Sequence, residues 1–363
     1  MKIKLTKTTT SNIFTAPIMN VSLKLMNSKL RFAIIGCGKI ASRHAAEATK
    51  HGRLLAVCDI AKEKADTLAK QFSAKPYYNI MELLANEKEI DIVSICTPNG
   101  LHADHSIQSL QKCKHVLCEK PMAISSADAK KMIDAAKETG SKLYVVKQNR
   151  FNPPVAFVKQ FLDDNKLGKI FSFQLNCFWN RPPAYYQNSW RGSKRLDGGT
   201  LFTQFSHFID LLFWLLGDVA SVNGIRSNYM HQGLIDFEDT GVAYLKMHSG
   251  AIGTFNYTIN SHLKNLEGSL LLFGEKGSVK IGGQYLNELE YFSVDGELPP
   301  DLSKGKPSNQ YGFYEGSMSN HDKVYEMLVR AVDDPAFSFI TMEETLKTIE
   351  IIEKIYAASP LLQ

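Results

Sequence analysis

Apolar positions along the chain fall into two rhythms. From Lys29 to Val146, short apolar runs alternate with amphipathic segments of helical spacing. That order predicts a parallel sheet with crossover helices. Strands are expected at 31–35, 54–58, 90–96, 115–118 and 143–146, and helices at 41–48, 61–72, 81–86, 102–111 and 126–139. The run at 90–96 is almost continuously apolar, as a strand covered on both faces is. Gly140 follows the last of these helices as its stop signal.

Beyond Gln148 the rhythm changes. A helix is expected at 155–163, and 170–179 alternates like a half-buried strand. The stretch 201–216 reads as one strongly apolar helix. Strands with turn residues between them follow at 241–248, 251–259, 268–274, 277–281 and 289–294, then a helix at 322–331. The last helix opens on a capping box, Thr341 with Glu344, and Pro360 follows it. The predicted fold class is α/β. A doubly wound dinucleotide-binding domain spans 29–147, and an α+β domain on a mainly antiparallel, open-faced sheet spans 148–340. A C-terminal helix (341–363) packs back on the fold. Residues 1–28, rich in Lys, Thr, Ser and Asn without a signal-type apolar core, are expected to be a disordered extension.

Composition narrows the partners. Lys and Arg (42) are interleaved with Asp and Glu (37), leaving +5 without a basic block, so no nucleic-acid partner is expected. No apolar run approaches the ~18 residues of a membrane span. The six cysteines form no Cys-x-x-Cys pair, a reduced, cytoplasmic pattern with no metal site expected.

The first strand runs into Gly36-Cys37-Gly38-Lys39-Ile40-Ala41 and then a helix. This is the Gly-x-Gly-x-x-Gly/Ala form of the dinucleotide fingerprint in its required context. Gly36 permits the tight turn. Gly38 lets the backbone approach a pyrophosphate, which sits on the free N–H groups of the helix N-terminus. Asp59 ends the second strand, where a carboxylate accepts from a ribose diol and repels a 2′-phosphate. NAD is expected over NADP, with Lys62 and Lys64 close enough to leave dual use open.

Three further pieces carry candidate chemistry. Thr97-Pro98-Asn99 with His102 and Glu119-Lys120-Pro121 stand at the carboxyl ends of successive strands, where open α/β sheets bind ligands. Gly198-Gly199 precedes an apolar segment bearing His207 and Asp210. Alone, Lys120 reads as a loop lysine and His207 as a core histidine. Together with the fingerprint, these pieces resemble the glucose–fructose oxidoreductase/inositol dehydrogenase (Gfo/Idh/MocA) family over residues 30–357.

The resemblance implies an NAD-dependent dehydrogenase acting on a CH–OH group, with Lys120 and His207 flanking the nicotinamide and the reacting carbinol and a cis bond before Pro121. It assigns the cofactor to Gly36, Gly38, Lys39, Ile40, Asp59, Thr97, Pro98, Asn99, His102, Glu119, Lys120 and Gln148, with Trp190 and Arg191 nearby. A neutral histidine, of ordinary pKa about 6.5, can take the hydroxyl proton. A desolvated Lys120 can serve instead, and the sequence leaves the two open. Many members carry an aspartate four residues before the histidine. Here that position is Thr203, a hydrogen-bonding group at most.

The substrate clue is the stretch 179–199, with Trp179, Tyr185, Tyr186 and Trp190 beside Arg181, Arg191, Lys194 and Arg195. Rings and guanidinium groups suit a nucleotide base with its pyrophosphate, or a carboxylate. This stretch resembles the sugar-nucleotide branch, whose members oxidise the 3-hydroxyl of UDP-N-acetylglucosamine or its uronic acid for surface polysaccharides. Arg150 is then expected to meet an anionic substrate, with Tyr185, Tyr186, Thr203 and His207 around it. A free-sugar or inositol dehydrogenase and a non-catalytic NAD-binding sensor are the alternatives. The family resemblance also implies a homo-oligomer, a dimer or tetramer.

Overall fold

Six short apolar segments pair side by side in the computed structural model, which describes residues 30–362 apart from 303–304, 313, 335 and 338–339. The extension expected over 1–28 lies outside the described residues. The strands are β1 (Leu30–Ile35), β2 (Gly52–Cys58), β3 (Lys75–Tyr77), β4 (Ile92–Ile95), β5 (His115–Cys118) and β6 (Leu143–Val145). They are all parallel, in the order 3-2-1-4-5-6. The crossovers are α1 (Ala41–His51), α2 (Lys62–Phe72), α3 (Ile80–Asn86), α4 (His102–Leu110) and α5 (Ser126–Thr139). Strand order reverses between β1 and β4, so a crevice opens at their carboxyl ends. β3 escaped the hydrophobic pattern because it is three residues long and contains Pro76, which an edge strand tolerates.

The remaining elements are α6 (Pro153–Asp163), β7 (Ile170–Phe178), α7 (Thr200–Thr203), α8 (Ser206–Leu216), β8 (Val219–Ser227), β9 (Thr240–Met247), β10 (Ile252–Thr258), β11 (Glu267–Gly274), β12 (Gly277–Gly282), β13 (Glu288–Val294), β14 (Ser308–Gln310), β15 (Glu315–Met318), α9 (His321–Asp333), α10 (Met342–Ala358) and β16 (Leu361–Leu362). Eight of these strands form a second sheet in the order 13-12-11-7-10-9-8-16. It is mixed rather than purely antiparallel, since β7 runs parallel to β10 and β16 to β8. β7 enters the middle of the sheet before its neighbours exist, and periodicity carries no record of such long-range pairing.

The apolar helix expected at 201–216 is two helices. α7 stops at Thr203, and α8 restarts at Ser206. Gln204 is buried at the break and accepts from Arg181 Nε at 2.7 Å, while its amide donates to the Tyr185 hydroxyl at 2.9 Å. Hydrophobicity runs through the break because both helices are buried. As a result His207 stands in the first turn of α8, where the helix dipole disfavours a positive charge.

α10 bridges the two sheets, and α9 packs on the first. Tyr325 of α9 is fully buried beside Phe32 of β1, with ring centroids 5.8 Å apart. α10 begins on the predicted capping box. Its Met342 and Leu346 pack on the first core, and Ile349, Ile352 and Ile355 lie in the second. The cleft between the sheets therefore has walls from both.

Candidate active site

The fingerprint turn forms the floor of this cleft, which encloses about 560 Å³. Gly36 sits at φ +93°, where a Cβ would come within 2.6 Å of the Cys96 carbonyl carbon of the neighbouring strand. Gly38 is different: a Cβ there would meet no protein atom within 4 Å. That open space lies beside the uncapped start of α1, the arrangement a pyrophosphate fits. Asp59 lines the same cleft, its carboxylate accepting from Cys37 N and Ala61 N, each at 2.8 Å. Ile60 beside it is 92% exposed and uncharged, and Lys64 lines the same cleft.

The ends of β4 and β5 are tied together by His102. Its ring nitrogens lie 2.7 Å from the Pro121 carbonyl oxygen and 2.9 Å from that of Thr97. The Lys120–Pro121 bond is cis. Lys120 Nζ donates to the Thr203 carbonyl oxygen at 3.0 Å, and Asn99 Nδ2 donates to the Thr203 hydroxyl at 2.6 Å. The helix break thus hands one carbonyl to the lysine. Lys120, His207, Gln148, Asn99 and Thr203 all line one cleft. Gln148 Nε2 lies 3.4 Å from His207 Nε2.

Electrostatics distinguish the two candidate proton carriers. Burial lowers the Lys120 ammonium to about 8, with Arg181 and Arg191 pushing further down and Glu119 pulling back. Burial and then the charge of Lys120 hold His207 well below its ordinary range, so its imidazole is neutral throughout the physiological range.

Glu119 sits beneath Lys120. Burial alone would raise its carboxyl, but hydrogen bonds from His321 and His44 hold it well below the ordinary range. The Nε2 atoms of His44 and His321 donate to Glu119 Oε1 at 2.8 and 3.1 Å. The Tyr325 hydroxyl lies 3.0 Å from both His44 Nδ1 and Ser94 Oγ. These three side chains are of metal-ligating types, but both nitrogens stand at hydrogen-bonding distance from a single oxygen. The cluster reads as an ionised carboxylate held by two imidazole donors.

The outer wall joins Trp179, Arg181, Tyr185, Trp190 and Arg191, all from the predicted substrate stretch, to Tyr314 and other residues that the sequence patterns left unassigned. Arg191 stacks on Tyr185 and Trp190 at 4.6 and 4.9 Å. Arg181 is buried and lies over Trp179 and Tyr314 at 4.9 and 5.4 Å. Lys39 stands 4.9 Å over the Tyr314 ring. Asn309, Tyr311, Ser317 and His321 also line the cleft. They come from the β14–β15 hairpin and the start of α9, where the aromatic and amide cluster from Asn309 to Tyr314 was the available signal.

Two expected substrate residues do not reach the cleft. Arg150 is 4% exposed, and its Nε and Nη2 both donate to Asp210 at 2.9 Å. Lys147 joins the same carboxylate at 2.8 Å, and Glu344 lies 3.4 Å from Arg150. Asp210 lies one turn beyond His207, so this cluster anchors α8. Tyr186 is buried behind Tyr185, edge-on to His231 at 5.3 Å.

Comparison with known proteins completes the description. Residues 30–147 match the model of the GFO/IDH/MocA oxidoreductase family, NAD-binding Rossmann fold, and residues 155–280 match the GFO/IDH/MocA C-terminal domain. The WlbA dehydrogenase of Bordetella pertussis, solved with NADH and UDP-GlcNAcA, is 32% identical with a TM-score of 0.81, over 91% of this chain and 96% of that one. Levoglucosan dehydrogenase of Pseudarthrobacter phenanthrenivorans is 27% identical over 63% of this chain. Glucose-6-phosphate 3-dehydrogenase of Bacillus subtilis is 32% identical over 54%. The chain spans 64% and 57% of the lengths of these two relatives.

Proposed function

The chain belongs to the GFO/IDH/MocA oxidoreductase family, and from that premise we propose that it is an NAD-dependent dehydrogenase of a nucleotide sugar, acting on the 3-hydroxyl of a UDP-N-acetylhexosamine or its uronic acid. The observation that carries this reading is the cleft itself, where Lys120 and His207 face a wall of Arg181, Arg191, Tyr185 and Trp190. An anionic, aromatic ligand fits that wall, and a free sugar leaves its cations unused. The match to the UDP-GlcNAcA complex of WlbA supports the same choice.

NAD, when bound, supplies the hydride acceptor. Gly36, Gly38, Ile40 and the start of α1 hold its pyrophosphate, and Asp59 its adenosine ribose. Lys120 is the base. At an ammonium value of about 8 it matches the working pH, whereas the imidazole of His207 has been made a poor proton acceptor by burial. His207, neutral, orients the substrate hydroxyl by a hydrogen bond. Arg181 and Arg191 grip the anionic portion of the substrate, and the stacked rings exclude water around it.

The test is NADH formation with a panel of UDP-sugars, inositol and free hexoses. Turnover of UDP-N-acetylhexosamines or their uronic acids is expected. NADH appearing only with inositol or free hexoses would replace the substrate while leaving the family intact.

Cofactor choice has its own test. Asp59→Asn removes the charge and keeps an acceptor, so the preference for NAD over NADP, measured as a ratio of kcat/KM, should fall by about tenfold or more. An unchanged ratio would remove Asp59 from the discrimination.

The oligomer contact belongs, on this reading, to the open face of the second sheet, where Val242, Tyr244, Ile252 and Phe273 stand exposed. Light scattering that returned a monomer would dismiss it. No helix among the described residues is long and apolar enough to cross a membrane.

A further inference from the structure

Asp197 is a buried carboxylate that the scheme above leaves unused. It is 1% exposed. Among the described residues no cation lies within ion-pair distance of it, and its partners are uncharged donors. Gly192 N donates to Oδ2 at 2.9 Å, and the Thr203 hydroxyl donates to Oδ1. Burying an acid without a direct counter-charge is costly, and burial pushes this one up to about 6 against the hydrogen bonds from Thr203 and Gly192. The charge is kept at a junction of three segments.

The first segment is the stretch ending in Trp190 and Arg191, closed at Gly192 by the carboxylate. The second is the turn after β4, since Asn99 Nδ2 donates to the Asp197 carbonyl oxygen at 2.9 Å and to the Thr203 hydroxyl at 2.6 Å. The third is α7, whose last residue gives its carbonyl to Lys120 Nζ at 3.0 Å. Thr203 therefore faces both ways, with its hydroxyl on Asp197 and its carbonyl on Lys120. The hydroxyl does not touch the lysine; by bonding the carboxylate it fixes the Thr203 residue whose carbonyl accepts from Lys120.

We propose that Asp197, reaching through Thr203, is a positioning residue that holds Lys120 in the cleft and favours its ammonium form. This rests on the reading of Lys120 as the proton-carrying group. The charged and titratable groups facing Lys120 are Glu119 on its own strand end, Arg181 and Arg191 on the outer wall, His207 on α8, and Asp197 before α7. Those facing Asp197 are Arg191, Lys120 and Tyr186. Of the two acids near Lys120, Glu119 is held by two imidazoles, and Asp197 is joined to it through the Thr203 peptide and side chain. A negative charge stabilises an ammonium, so removing it lowers the midpoint at which Lys120 loses its proton.

The experiment titrates Lys120 in the full-length protein carrying 15N-labelled lysine side chains, with the signal assigned by its loss in Lys120→Met. In Asp197→Asn the Lys120 midpoint should move down by about half a unit or more. The lower midpoint by itself enlarges the free-base fraction at pH 7, so the positioning role is read on the high-pH plateau: with the substrate found by the panel above, plateau kcat should fall by about tenfold or more while KM for NAD stays within about threefold. Thr203→Val, which leaves the carboxylate in place but cuts the link, should reproduce the loss in kcat. The double variant should be no worse than the poorer single one, because both break one connection.

A Lys120 midpoint and kcat unchanged in Asp197→Asn would overturn the proposal, as would a shifted midpoint with wild-type kcat. If Asp197→Asn does not fold, Thr203→Val decides, and wild-type kcat in that variant overturns it. The titration needs no substrate, so a wrong substrate assignment would show in the panel and leave the midpoint shift standing.

Discussion

Replacing Lys120 by alanine should lower kcat by about 10² to 10⁴-fold, the range for removing a group that carries the proton and stabilises the developing charge. NADH binding, read by fluorescence, should change only a few-fold, because the pyrophosphate and ribose contacts lie on the fingerprint turn and Asp59. The pH dependence makes the assignment specific. Burial has lowered the ammonium to about 8, so the unprotonated fraction is about a tenth at pH 7 and a half at pH 8. With Lys120 as the base, kcat/KM rises with pH through about 8 and levels above it, and that limb vanishes in Lys120→Ala. His207 is held well below its ordinary range, so no limb near 6.5 is expected from it. A rate that instead fell through pH 8 would assign the base to His207 and leave Lys120 the acid partner.

The second large effect is expected at Gly36. A valine there would force a side chain to φ +93° with its Cβ 2.6 Å from the Cys96 carbonyl carbon. Neither obstacle can be relieved by a rotamer change, because the opposing atoms are backbone of a neighbouring strand. NADH binding should be lost by about 100-fold or more, and the melting temperature should fall, since overpacking plus a left-handed β-branched residue costs several kcal/mol. Gly38→Ala provides the contrast. Its Cβ meets no protein atom within 4 Å, so the fold and melting temperature should be near wild-type while NADH binding still drops by about tenfold or more. Equal effects of the two substitutions on stability would show that Gly38 is required by the fold's own sterics rather than kept clear for the pyrophosphate.

The two glycines show what kind of feature can be read without coordinates. A tight turn, a helix start and an acid at the end of the next strand all lie within residues 36–59 of one βαβ unit, and local backbone geometry dictates the residue types. The first domain was readable for the same reason: its strands pair with near neighbours, so each apolar run reports its own burial. The capping box at Thr341 and Glu344 is local too, and the structure reproduces it.

Features built by distant chain segments were harder. Lys120 and His207 were paired through their resemblance to a family, since spacing could not bring together residues 87 positions apart. Arg150 was expected at the substrate through resemblance to the sugar-nucleotide branch. Asp210, one turn past His207, claims it with Lys147, and only the packing of α8 beside the end of β6 makes that visible. The buried triad of His44, Glu119 and His321 joins three segments that share no periodicity. The hairpin from 308 to 318 carries part of the outer wall, yet its short strands have too few residues to announce themselves.

The sequence by itself determined the dinucleotide turn, the alternation that builds the first sheet, and the family. The first two depend on steric and hydrophobic demands acting within a few tens of residues, and the family on the resemblance of motifs spread from the fingerprint to Asp210. Tertiary structure decided how the proton-carrying residues are set. It broke the apolar helix at Gln204, so that His207 begins a helix and Thr203 ends one with its carbonyl free for Lys120. It half-buried Lys120 among Arg181, Arg191 and Glu119, which lowers its ammonium to about 8. It also placed Asp197 behind Thr203. Charge, burial and hydrogen-bond direction are properties of neighbours in space, and those neighbours come from segments the linear pattern keeps apart.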